Sequence, residues 1–303
     1  MKLHVLIDNL PNPENPALQF EHGLSFLLQT PQGKNYLIDT GASGKFLHNL
    51  ELLREQDPSL PTAAEIDAVI ISHGHNDHTG GLRTFLEHNT TAPVYLHNSI
   101  QGNLFYSCRQ KNGIREARNI GMEQALFAEY GHRFIEIGSP TGIAGQITLI
   151  PVSSSAGQPT PMGNSFLYCN DLPDNFTHEV AILAEYTPGE FAIISPCSHN
   201  GILNILDVTS SFCTKVTSSL CTTSSKSIGF FIGGLHYVDY LNPCDAKKEA
   251  AHIVQAAEYI KEQYPNLKVF SGHCTGNDAK QVLQNSLKGK YTHFTTGTVI
   301  GLK

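Results

Sequence analysis

At 303 residues, 40% of them hydrophobic and 16% charged, the chain has apolar material for one large core or two smaller ones. Its formal net charge of −7, with 27 acidic residues against 20 Lys and Arg, gives no general attraction to a polyanion and weighs against a nucleic-acid partner. No apolar run approaches the roughly 18 residues that a membrane span needs, and seven scattered cysteines without a CxxC pair argue against a disulfide framework and for a reducing, cytoplasmic setting.

The first residues, MKLHVLID, lack a long apolar region and a cleavage site, and read as a strand over 2–7 rather than a signal peptide. Further strands are expected at 24–29, 35–39, 66–71, 93–97, 146–150, 180–185, 191–195, 228–232 and 267–270, from short apolar runs bounded by polar residues. Helices are expected at 44–55, 80–88, 115–130, 200–208, 245–263 and 277–286. The clearest is 245–263, with Asp245 as its N-cap, apolar residues Ala250, Ile253, Val254, Ala257 and Ile260 at helical spacing, and Pro265 beyond its end. The segment 209–227, TSSFCTKVTSSLCTTSSKS, is rich in hydroxyls that compete with the backbone for hydrogen bonds. It reads as a loop or poorly formed helix, a solvated variable connection rather than a lid. No linker interrupts the pattern, so the chain reads as a single domain over 1–303.

The most specific feature is SHGHNDHTGG at 72–81. It sets His73, His75, Asp77 and His78 within six residues, between the apolar run 66–71 and a helix start. Two residues apart in extended chain, His73 and His75 point the same way. Asp77 and His78 lie past the turn and suit a second ion; two-metal sites hold their ions about 3.5–4 Å apart. A catalytic zinc takes about three protein ligands plus water, so further ligands are needed, and His199 and His273 stand at other expected strand ends. The glycine-rich pieces 80–82 and 232–236 carry neither a P-loop ending nor a GxGxxG pattern, and no GxSxG elbow occurs. A Ser or Cys nucleophile is therefore not required.

The stretch resembles the HxHxDH signature of the metallo-β-lactamase fold superfamily. LIDN (6–9), EHGLSFLL (21–28), LIDTG (37–41), PCSHNGILNIL (196–206), GGLH (233–236) and SGHCTG (271–276) extend the resemblance over nearly the whole chain. Together they look like the branch of the methanopterin-related (ribofuranosyl)aminobenzene phosphate synthases, or dihydropteroate-synthase-like metallohydrolases. The resemblance implies an α/β fold, a four-layer αββα sandwich of two mixed sheets with the metal site at one edge. It implies that His199 completes the site of His73 and His75, and that His273 joins Asp77 and His78 on the second ion. Asp39 is implied as a carboxylate supporting the metal-binding loop. His22, His178 and His236 are implied to lie at the pocket, with His22 and His236 as candidates to touch substrate and His178 paired with Glu179. Asp8 and Asn9 are expected to cap a turn. Cys197 stands near a position where many members carry a bridging aspartate. A thiolate suits a borderline metal, yet Cys197 reads as a buried packing residue, as does Cys274, and no thiolate band is expected on cobalt substitution.

On this reading the chain is a metal-dependent hydrolase that converts a small molecule through a metal-bound hydroxide. It uses two divalent ions, Zn(II) by ligand chemistry, with Fe or Mn as alternatives. Asp77 accepts a proton from the attacking water, and His236 or His22 donates to the developing oxyanion. Two alternatives stand beside it: a synthase that joins a phosphorylated ribose and a pterin-like ring on the same metals, and a non-catalytic metal-dependent binding protein. A di-iron redox centre would want an acidic bridging ligand, and none is evident. The one locally basic piece, RQKNGIREAR (109–118), has the helix-like spacing of a solvated face, so a small-molecule substrate is expected and neither a nucleic acid nor a membrane.

Overall fold

Short apolar runs that stop at polar motifs become strands, and the motifs then sit at the strands' carboxyl ends. The protein is described from a computed structural model that covers residues 1–111, 114–144, 146–154, 158–217 and 227–303. The chain divides into two compact units. The first holds Met1–Gly138, Phe166–Asp174 and Phe294–Lys303, and the second holds Ser139–Ser165 and Asn175–His293.

In the first unit a seven-stranded sheet runs in the order Val299–Gly301, Lys2–Ile7, Ser25–Gln29, Asn35–Ile38, Ala68–Ile70, Val94–His97, Phe134–Ile137. Pairing is antiparallel as far as Asn35–Ile38 and parallel from there on. Lys2–Ile7 buries five consecutive residues, as a strand covered on both faces does. Helices Lys45–Gln56 and Leu82–His88 insert Phe46, Leu50, Leu82, Phe85 and Leu86 into the core that holds Leu27, Leu37, Val69 and Val94. Each such side chain contributes roughly 1.5–3 kcal/mol by leaving water. A smaller sheet of the same unit orders Leu172–Pro173, Leu167–Cys169, Phe105–Lys111 and Ile114–Asn119.

The second unit repeats the mixed pattern. Its sheet runs Tyr291–His293, Lys268–Ser271, Ser227–Ile232, Glu190–Ile194, Val180–Thr187, Ile147–Pro151, Thr141–Ile143. It is parallel through Glu190–Ile194 and antiparallel beyond. Helices Ile202–Thr217, Pro243–Gln263 and Asn277–Leu287 bury Leu206, Ile253, Ile260 and Leu283 with Ile193, Phe231 and Val269. Among the described residues, no helix is long and apolar enough to cross a membrane.

Three local expectations are corrected. The helix expected over 115–130 is a strand at Ile114–Asn119 and a helix only at Ala125–Tyr130. The first part pairs with Phe105–Lys111, with Arg109 in register opposite Glu116, so the charge spacing that looked helical is a cross-strand arrangement. The helix expected to stop at 208 continues to Thr217, so 209–217 is helical, while 218–226 lies outside the described residues. Its hydroxyls serve the helix rather than compete with it: Thr209 Oγ1 donates to Ile205 O at 2.6 Å, and Tyr264 donates its hydroxyl to Ser210 Oγ at 3.1 Å. Finally, the N-cap of Pro243–Gln263 is Asn242 and not Asp245. Asn242 Oδ1 accepts from the amides of Cys244 and Asp245, and Pro243 starts the first turn. Asp245 instead lies in the first turn, where its charge favours the helix dipole.

Candidate metal centre

In the first unit, the motif His73–His78 leaves strand Ala68–Ile70 and enters the one-turn helix Asn76–Thr79. Glycines 80 and 81 permit the turn, because a Cβ on either would run into the carbonyls of Ala42, Ser43 or Thr40. The three imidazoles are buried and mutually close. The ring of His73 stands 4.6 Å from that of His75 and 4.2 Å from that of His78.

Asp39, fully buried at the end of strand Asn35–Ile38, organises them. It accepts from the amide of Ser72 at 2.7 Å, from Ser72 Oγ at 2.6 Å, and from His78 Nδ1 at 2.7 Å. Ser72 has one hydroxyl proton and gives it to Asp39, so its oxygen accepts from His73 Nδ1, 2.9 Å away. His73 and His78 are thereby both protonated at Nδ1, and each leaves an Nε2 lone pair for a cation. His73 Nε2 lies 3.1 Å from His75 Nδ1. The other nitrogen of His75, Nε2, faces Asp174 Oδ2 at 3.9 Å, and that carboxylate is 1% exposed. Two ring nitrogens aimed at one spot, with their partner nitrogens turned toward carboxylate or hydroxyl, fit a divalent ion. Asp77 Oδ2 lies 3.8 Å from His78 Nε2 and 3.5 Å from His22 Nε2. His22 is exposed and accepts from Asn9 Nδ2 at 3.1 Å. Asp8 accepts from the amide of Leu10 at 2.9 Å, the turn cap expected of it.

In the second unit, the residues expected at the site again follow parallel strands. Cys197 and His199 come after Glu190–Ile194, His236 after Ser227–Ile232, and His273 after Lys268–Ser271. Ser198, His236 and His273 adopt left-handed backbone, with φ of 56°, 52° and 50°, as Asp39 does in the first unit at 56°. Such strain is held where surrounding structure dictates it, and it clusters at functional sites. Glu179 is the clamp on one loop: it accepts from the amides of His199 and Asn200 at 2.7 and 2.8 Å and from Asn200 Nδ2 at 2.7 Å. Burial pushes its carboxyl up, against the pull of those hydrogen bonds and of His178. The carboxylate thus holds the His199 loop.

Asn164 Nδ2 donates to His199 O at 2.7 Å, and its Oδ1 accepts from His199 Nδ1 at 3.1 Å, so Nε2 is the ring nitrogen that could hold an ion. Phe176 stacks on the His199 ring at 4.3 Å. The ring of His236 lies 4.1 Å from that of His199. His236 Nε2 is buried with no hydrogen-bond partner among the described residues, which leaves it available to a bound group. Glu249 accepts from the amides of Met162 and Val238 and so braces the loop that carries His236. Cys274 meets opposing influences: burial raises its thiol, but the hydrogen bond with Cys197 and the charges of His273 and His236 hold it well below the ordinary range.

Sequence reasoning missed Ser72 as a relay, and Asp174, Asn164 and Glu249 altogether. Ser72 has a signal, the polar residue directly before the first motif histidine. The others come from distant loops without a local pattern.

Residues 18–104 match the family model of the Metallo-beta-lactamase superfamily. Over 311 aligned residues the chain is 25% identical to the 7,8-dihydropterin-6-methyl-4-(beta-D-ribofuranosyl)-aminobenzene-5'-phosphate synthase of Methanocaldococcus jannaschii, which covers 99% of this chain and 96% of that protein. A stretch of 75 residues is 37% identical to a UPF0173 metal-dependent hydrolase of Herpetosiphon aurantiacus, spanning 23% of this chain and 26% of that one. A solved metal-dependent hydrolase of the beta-lactamase superfamily matches with a TM-score of 0.72 over 100% of this chain and 99% of its own, at 23% identity. That likeness shows a shared fold, the αββα sandwich of two mixed sheets that the motifs implied. The motif segment lies within the stretch that matches the Metallo-beta-lactamase superfamily model, and the whole chain shares the fold of the solved metal-dependent hydrolase.

Proposed function

We propose that the protein is a binuclear metal-dependent hydrolase of a small molecule, with His73, His75, Asp77, His78, His199 and His273 as metal ligands. The observation that carries this reading is the relay from Asp39 through Ser72 to His73 and directly to His78, which presents two Nε2 lone pairs. Imidazoles with few carboxylates suit Zn(II), with Fe or Mn as alternatives. When bound, such ions supply a nucleophile at neutral pH and polarise the electrophile's oxygen. The protein's own groups do the rest. In this reading Asp77, partly exposed, takes a proton from the attacking water, and His22 Nε2, 3.5 Å from it, is a donor beside it. In this reading His236, whose Nε2 has no hydrogen-bond partner among the described residues, donates to the developing oxyanion.

The test is elemental analysis after metal supply, then a screen of esters, lactones, thioesters and phosphodiesters. Close to two ions per chain are expected, with fewer in His199→Ala and in His273→Ala. Asp77→Asn should lower turnover about 100-fold or more through loss of general-base assistance. Full metal occupancy in both histidine variants would remove the ligand assignment, and unchanged turnover in Asp77→Asn would leave Asp77 a structural role only.

A synthase on the same ligands is the second reading, favoured by the whole-chain similarity to the Methanocaldococcus synthase. Conversion of a dihydropterin with a ribosyl-aminobenzene phosphate, and no hydrolysis in the screen, would select it. Tight metal uptake without turnover of either kind would select a binding protein.

A further inference from the structure

Cys197 has the wrong surroundings for a packing residue. A buried cysteine that only fills space lies among apolar side chains. Cys197 is 3% exposed, and its Sγ lies 3.5 Å from His236 Nδ1 and 3.4 Å from Cys274 Sγ. A ligand nitrogen of His199 lies within 4.8 Å of it, and so does one of His273. Imidazoles of His199, His236 and His273 and a second thiol thus gather around one buried sulfur.

We propose that Cys197, as its thiolate, is a metal ligand shared by the ion that His199 holds and the ion that His273 holds. The inference rests on the two-ion reading above, in which those histidines serve different ions. A zinc–sulfur bond is about 2.3 Å and a zinc–nitrogen bond about 2.0–2.1 Å. Sulfur and nitrogen on one ion therefore sit no more than about 4.4 Å apart, and the present separations need only side-chain settling. One sulfur within 4.8 Å of a ligand nitrogen of each histidine is the atom positioned to join the two ions.

Charge points the same way. In the ligand set without Cys197, Asp77 is the lone anion against two dications. A thiolate between the ions adds a second negative charge where their mutual repulsion is greatest. On loading, the S–H bond would break and its proton leave to solvent, and the freed electron pair and a second sulfur lone pair would each bind one ion. Cys274, whose Sγ accepts from His236 N at 3.2 Å, flanks Cys197 at 3.4 Å, and either sulfur can donate to the other. The loop is already fixed for this purpose: Glu179 grips the amides of His199 and Asn200, and Ser198 is left-handed. A shared thiolate also favours Zn(II), Co(II) and Cd(II) over Mn(II).

Cobalt-loaded wild type should show a near-ultraviolet sulfur-to-cobalt charge-transfer band. The band should vanish in Cys197→Ser and persist in Cys274→Ser. X-ray absorption on zinc-loaded wild type, and on zinc-loaded Cys274→Ser, should give one sulfur per zinc at about 2.3 Å. The wild-type measurements stand even if Cys197→Ser does not fold. Half a sulfur per zinc would mean a ligand of one ion only and would overturn the sharing. A band lost in Cys274→Ser but kept in Cys197→Ser would give the ligand role to Cys274 and overturn the proposal. Two bound ions with no sulfur on either would overturn it and leave the two-ion reading intact. A protein that takes up no transition metal would remove both.

Discussion

On the two-ion reading, Asp39 acts on the proposed metal site through the imidazoles it orients. Its carboxylate takes three hydrogen bonds, two from Ser72 and one from His78, and through Ser72 it sets His73 as well. Asp39→Asn keeps the shape but turns an amide NH2 toward donors that need an acceptor. The tautomers of His73 and His78 are then no longer enforced. Carboxylates that orient ligand imidazoles are worth about 10–100-fold in metal affinity, and a loss of that size is expected in competition with a chelating indicator. Unchanged affinity in Asp39→Asn would mean that the ligand rings are held by packing alone. At this scale the sequence was legible where ligands are contiguous, as in His73–His78. It was illegible where one function is shared across distant loops, because the burial that gives Asp174 and Asn164 their meaning leaves no periodic trace.

Elements were legible wherever an apolar run was short, β-branched and stopped by a polar motif, which describes the strands that deliver every ligand candidate. Val180–Thr187 and Ser227–Ile232 are of this kind. The hairpin Phe105–Lys111 with Ile114–Asn119 failed because its polar, charge-rich strands carry little hydrophobic alternation, and their spacing also suits a helix. A buried cation at an element boundary was equally hidden. Arg133 is 6% exposed and donates to the carbonyls of Leu86, Asn89 and Ala92, which ties the end of helix Leu82–His88 to the lead-in of strand Val94–His97. Arg133→Ala strands those carbonyls, each worth about 1–3 kcal/mol when left unsatisfied in the interior. A loss of roughly 3 kcal/mol in chemical denaturation is expected, with Arg133→Lys between that and wild type because it lacks the planar fork. A loss within about 0.5 kcal/mol, the level of ordinary surface substitutions, would show that water replaces the guanidinium.

For the whole molecule, acid is the revealing stress. Burial pushes down the imidazoles of His4, His252 and His293, and His293 falls to about 4, with Lys280 adding to the effect. Each is favoured neutral in the fold and titrates near 6.5 when unfolded. Their contribution is therefore intact above 6.5 and is lost as pH falls below it, for His293 down to about 4. Metal-free protein should show Tm falling through this window, and His293→Gln should flatten the fall; parallel curves for the two would remove His293 from the account. The left-handed residues carry a different consequence for the molecule. Asp39, Ser198, His236 and His273 each hold a conformation that glycine would adopt more cheaply, by about 1–2 kcal/mol per position. Three of those four side chains carry roles proposed above, so of these four a lineage adapting to hotter surroundings has only Ser198 to exchange. Its thermal margin must come from the helices and outer loops, and drift toward heat tolerance should leave the strand ends almost untouched.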